Sequence, residues 1–68
     1  MKDRFNALEV MEMAKDIEKR GKKFYLKHGE ATENRDLSEL FKRLAQDEQD
    51  HYEKFVALTE ELRQGSDD

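Results

Sequence analysis

From residue 37 to residue 62, Leu37, Phe41, Leu44, Glu48, His51, Phe55, Leu58 and Leu62 follow one another at alternating spacings of four and three. That ladder is the seam of a helix lying against other helices. Two adjacent rungs, Glu48 and His51, are ionisable. An earlier segment repeats the pattern through Ala7, Met11, Ala14, Glu18, Gly21, Tyr25 and His28, again with a carboxylate mid-stripe. Val10, Met13, Ile17 and Phe24 flank the first seam, and Leu40, Tyr52 and Val56 the second. Burying an unpaired carboxylate costs on the order of several kcal/mol, so Glu18, Glu48 and His51 need partners.

The spacing predicts two helices. The first runs from about 6 to 28. Asn6 with Glu9 makes a capping box, Phe5 with Val10 a hydrophobic staple, and Gly29 a left-handed stop. The second runs from about 36 to 63, capped by Asp36 with Glu39, and Gly65 to Asp68 forms a frayed tail. A short link between them makes the helices antiparallel neighbours. The expected fold is therefore all-α, an antiparallel two-helix hairpin that occupies residues 1–68 as one unit.

Such a hairpin is small for independent folding. The chain has 68 residues, 44% of them charged, and no Cys, so disulfides, iron–sulfur clusters and thiolate zinc sites are excluded. Self-association, a metal held by His and carboxylates, or both must supply the missing stability. The absence of Pro and Trp and the abundance of charged helix formers agree with long helices. A net charge of -4 argues against a nucleic-acid partner. No apolar run suits a membrane span, and Met1 leads straight into Lys2, Asp3 and Arg4, unlike a signal peptide. The expected location is the cytoplasm.

Depth along the hairpin sharpens the polar-layer problem. Glu18 lies eleven residues before Gly29, and Glu48 twelve after Asp36. At about 1.5 Å per residue both sit roughly 17 Å from the turn. His51 is one turn beyond Glu48 on the same face. Two carboxylates and an imidazole therefore converge on one layer. One hairpin offers three donors; a two-fold dimer offers four Glu and two His. The four carboxylates would neutralise two divalent ions, and this donor set suits iron, with manganese possible. The alternative is a non-catalytic dimerisation module in which the three form a buried polar layer that sets register.

These residues resemble half of a ferritin-like di-iron bundle, in which an inward Glu on one helix meets Glu-x-x-His on the next. Glu18, Gly21, Phe24 and Tyr25 are similar to the first-helix motif of the rubrerythrin-like branch. Leu40, Phe41, Leu44, Ala45, Glu48 and His51 are similar to its second. The resemblance spans Leu8 to Leu62. It implies a four-helix bundle completed by a second copy, as in the encapsulated ferritins. It also implies Glu18, Glu48 and His51 as metal ligands and catalytic residues. The implied activity is iron oxidation by O2 or peroxide, with a peroxide reductase fed by an external electron donor as the other possibility. The tail, Gly65, Ser66, Asp67 and Asp68, lacks the apolar residues of an encapsulation signal.

Other residues have plainer readings. Tyr25 and Tyr52 are candidates for hydrogen-bonding the ligands or relaying electrons, or else pack in the bundle. His28 is expected to be a helix-terminal cation, Met11 and Met13 core filler, and the basic run Lys19 to Lys23 a solvated face. Gly21 can allow close helix approach or room for a bridging ligand. The family's extra carboxylates have no clear counterpart among Glu9, Glu12, Asp47 and Asp50.

Overall fold

The computed structural model describes residues 6–65, which form two helices, α1 (Ala7–Ala31) and α2 (Arg35–Gly65), joined by residues 32–34. They pack side by side as a slab measuring 53 × 22 × 13 Å. The smallest dimension is about one helix diameter, so among the described residues no third layer covers either broad side.

α1 begins as its sequence dictates. The Asn6 side chain accepts from the Glu9 amide at 2.8 Å, and the Glu9 carboxylate accepts from the Asn6 amide at 3.3 Å. The proposed staple partner Phe5 lies outside the described residues. The other end differs from expectation. Gly29 does not stop the helix, because no described residue adopts a positive φ and α1 continues to Ala31. Thr32, in extended conformation, caps it by donating its amide to His28 O at 3.1 Å. Gly29 serves close approach instead. It is buried, and a side chain there would meet Phe41 Cβ at 3.2 Å. Ser38 Oγ donates to Gly29 O at 2.9 Å, tying the first turn of α2 to the end of α1.

The start of α2 also needs correcting. Asn34, rather than Asp36, is the cap: its side chain accepts from the Leu37 amide at 3.0 Å, and its carbonyl receives Ser38 N at 2.9 Å. Thr32 Oγ1 in turn accepts from the Asn34 amide. Asn34 reaches the free amide three residues ahead, which leaves Asp36 inside the first turn.

The contact line between the helices is rotated from the ladder read in the sequence. Ala45 and Thr59, both 2% exposed, sit at its centre on α2, with Phe41, Glu48, Tyr52 and Phe55 half-buried around them. Thr59 resolves its burial by donating Oγ1–H to Phe55 O at 2.7 Å. The ladder's other edge is open: Leu37, Leu40, Leu58 and Leu62 are exposed. On α1, Val10, Met13, Ile17 and Phe24 are exposed as well. At 100° per residue these two sets flank the contact line on one side of the slab, here called the front. The back is basic: a groove there is lined by Lys19, Lys22, Lys23, Leu26, Gln49 and Tyr52. Lys22 is not simply solvated, since its Nζ donates to Gln49 Oε1 at 2.8 Å in a partly buried contact.

The cap assignment is testable. Asn34→Ala should lower stability by about 1 kcal/mol, the usual worth of an N-cap. Asp36→Ala should leave stability nearly unchanged. Thermal denaturation of the two variants at one protein concentration checks the difference.

Candidate metal centre

Near the middle of the slab, Glu18 from α1 and Glu48 and His51 from α2 point to one spot. One donor atom from each lies within 4.8 Å of the other two. His51 Nδ1 is 3.2 Å from Glu18 Oε2 and 3.7 Å from Glu48 Oε1. The equal depths inferred from chain length therefore hold, and the antiparallel packing brings together residues thirty or more positions apart. Glu18 and Glu48 are mostly covered, at 15% and 20% side-chain exposure, whereas His51 is 52% exposed on the front.

The electrostatics of the trio are strained in the protein alone. Burial pushes the Glu48 carboxyl above its usual range, and the charge and hydrogen bonding of Glu18 push it the same way. His51 opposes the shift, and Asp47 adds slightly to it. Two carboxylates converging on a weakly solvated spot disfavour double ionisation unless a cation joins them. The donor set fits a divalent ion. Metal–oxygen and metal–nitrogen bonds of about 2.0–2.2 Å put two donors of one ion at most ~4.4 Å apart, so the observed separations close with small side-chain shifts. Two carboxylates per chain would also balance one divalent charge.

The remaining candidates are placed elsewhere. Tyr25 stacks near Phe41, with centroids 6.2 Å apart. Tyr52 lies under Lys19, whose Nζ is 5.9 Å from its ring centre. Neither hydroxyl hydrogen-bonds Glu18, Glu48 or His51. His28, in the last turn of α1, packs on Phe24 at 4.2 Å and near Phe41 at 6.0 Å, away from the trio. Met11 is half-buried and Met13 exposed. Among the described residues no other carboxylate joins the cluster. Glu9 is used in the cap, Glu12 pairs with Lys15 at 2.8 Å, and Asp50 accepts from Gln46 at 3.1 Å. The contact that sequence reasoning left undecided is at Gly21, which faces the Glu48 carboxylate.

Because Glu48 binds its proton more tightly in the fold than in the unfolded chain, its contribution favours the folded state at low pH. That contribution is lost as pH rises from the ordinary value of 4.5 through the elevated one. Metal-free Glu48→Gln should therefore gain on the parent in melting temperature as pH rises. Thermal melts of both across pH 4–8, in a chelator, check this; curves that stay parallel count against the strained pair.

Searches of curated proteins and of solved structures gave no significant match. None of the described helices is long and apolar enough to cross a membrane. The sequence model of the family described as Rubrerythrin matches residues 9–68, which takes in both helices and all three clustered side chains. The chain belongs to the rubrerythrin family.

Proposed function

We propose that two copies of this chain pair through their front faces into a four-helix bundle and hold two iron ions between them, as a cytoplasmic ferroxidase. The observation that carries this reading is the setting of the trio. Glu18, Glu48 and His51 lie beside an apolar face that the described residues leave uncovered. Ile17 is 63% exposed there and Phe24 55%. Contiguous apolar surface of that kind marks an interaction site, and a two-fold partner would present the same surface and the same donors.

In this reading Glu18 and Glu48 supply the negative charge that draws and holds divalent iron, and His51 supplies a neutral nitrogen from the second helix. Ferrous iron would then be the substrate: two ions held there would give up one electron each, enough with two protons to reduce O2 to hydrogen peroxide or hydrogen peroxide to water. The front-face side chains exclude bulk water from the site once paired. Tyr25, stacked near Phe41, and Tyr52, beneath Lys19, hydrogen-bond none of the three ligands and have a packing role in this reading. Manganese would satisfy the same donors. The family match supports a second reading, peroxide reduction with electrons returned by a separate donor protein. A chain without Cys carries no thiolate redox centre of its own. A register-setting polar layer without metal is the reading in which no ion binds.

Anaerobic titration of the metal-free protein with ferrous iron, with its mass measured in solution, tests the assignment. The expected result is saturation at one iron per chain in an even-numbered oligomer, and a fast near-ultraviolet change on admitting air. Glu48→Ala should slow that oxidation at least 100-fold while helicity stays largely intact; rapid oxidation in the variant would sink the site. Ile17→Glu, placing charge on the front face, should weaken self-association and iron affinity together. Undiminished affinity in a monomeric Ile17→Glu protein would show that the site is not shared.

A further inference from the structure

We infer that Gly21 is a positioning residue for the ligand set: the space left by its missing side chain is the seat of the Glu48 carboxylate. This inference rests on the metal-site reading for its purpose, though its geometry stands without it.

Glycine inside a helix is unfavourable by about 1 kcal/mol relative to alanine, and Gly21 lies mid-way along the 25-residue α1. Its backbone does not explain it, because no glycine among the described residues has a positive φ. The surroundings do. A Cβ built on Gly21 would lie 2.5 Å from Glu48 Oε2, 3.2 Å from Glu48 Cδ and 3.5 Å from Glu48 Cγ. Its three nearest neighbours thus all belong to one side chain, and to that side chain's reactive end. The other two glycines differ. Gly29 would meet Phe41 Cβ and the Ser38 backbone oxygen, which are packing atoms, and Gly65 would meet nothing.

The consequence follows from what can move. A methyl group at position 21 is incompatible with the observed carboxylate position, and the neighbour in its way is the flexible tip of Glu48. The tip would swing away from the seat, and the helices could stay where they are. Glu48 Oε1 would then leave its place 3.7 Å from His51 Nδ1, breaking up the trio. Gly21→Ala should therefore separate two quantities that usually fall together. Fold stability holds or rises with helix propensity, while the ligand geometry is lost.

The test uses two measurements on the full chain. In metal-free protein, the carboxyl-carbon resonance of Glu48, assigned by its loss in Glu48→Gln, should shift clearly in Gly21→Ala. Helicity and melting temperature should be equal to or above those of the parent. An unmoved Glu48 resonance in a folded Gly21→Ala protein overturns the inference, whether or not any metal binds. In anaerobic titrations with manganous and ferrous ions, Gly21→Ala should weaken binding at least tenfold in the parent background and no more than twofold in the Glu48→Gln background, since the effect runs through Glu48. Equal weakening in both backgrounds would also overturn it. A parent protein that binds neither ion refutes the proposed function, and the resonance still decides the role of Gly21.

Discussion

Two carboxylates from different helices meet at the centre of this molecule, and its other features arrange themselves around that meeting. Glu18 and Glu48 are each mostly covered, and Glu18 helps to push the Glu48 carboxyl upward. A core of this size, with little beyond Ala45 and Thr59 fully buried, has scant energy to spare for like charges in contact. Such a pair is a poor choice for stability in a chain that binds nothing. It is a reasonable choice for one whose folded form gains a cation, because binding to the folded state alone adds to its stability.

Much of this was legible in the order of residues. The four-and-three ladder marked α2, and the Asn6–Glu9 box marked the start of α1. Counting rises from the turn placed Glu18 level with Glu48, since helix geometry is stiff enough for arithmetic on distance to hold. What was not legible depends on contact between helices. Gly29 has the composition of a stop signal, but its close approach to Phe41 and its carbonyl's bond to Ser38 put it inside the helix. Asn34 and Asp36 are both good caps as residues, and the path of the three-residue link decides between them. The ladder showed how wide the apolar stripe is, but not which edge meets α1. Lys22 looked solvated within a run of cations until Gln49 was seen opposite it.

The two broad sides of the slab differ in character. On the front, Val10, Met13, Ile17 and Phe24 of α1 and Leu40 and Leu58 of α2 are exposed on the same side as the half-exposed His51. On the back, lysine stems line a groove closed by Tyr52 and Gln49. An apolar front facing its own copy and a charged back facing water would keep pairing to one side. That is the asymmetry a closed two-fold assembly needs to avoid growing into a filament.

A slab one helix thick has one more implication, which concerns abundance. In the proposed pair, with so little of each chain buried internally, folding and pairing through the front would be a single event, and the balance between ordered and unfolded chain would follow protomer concentration. Dilution would act on such a molecule as a mild denaturant. Its amount in a cell would set the fraction that is structured as well as how much of it there is.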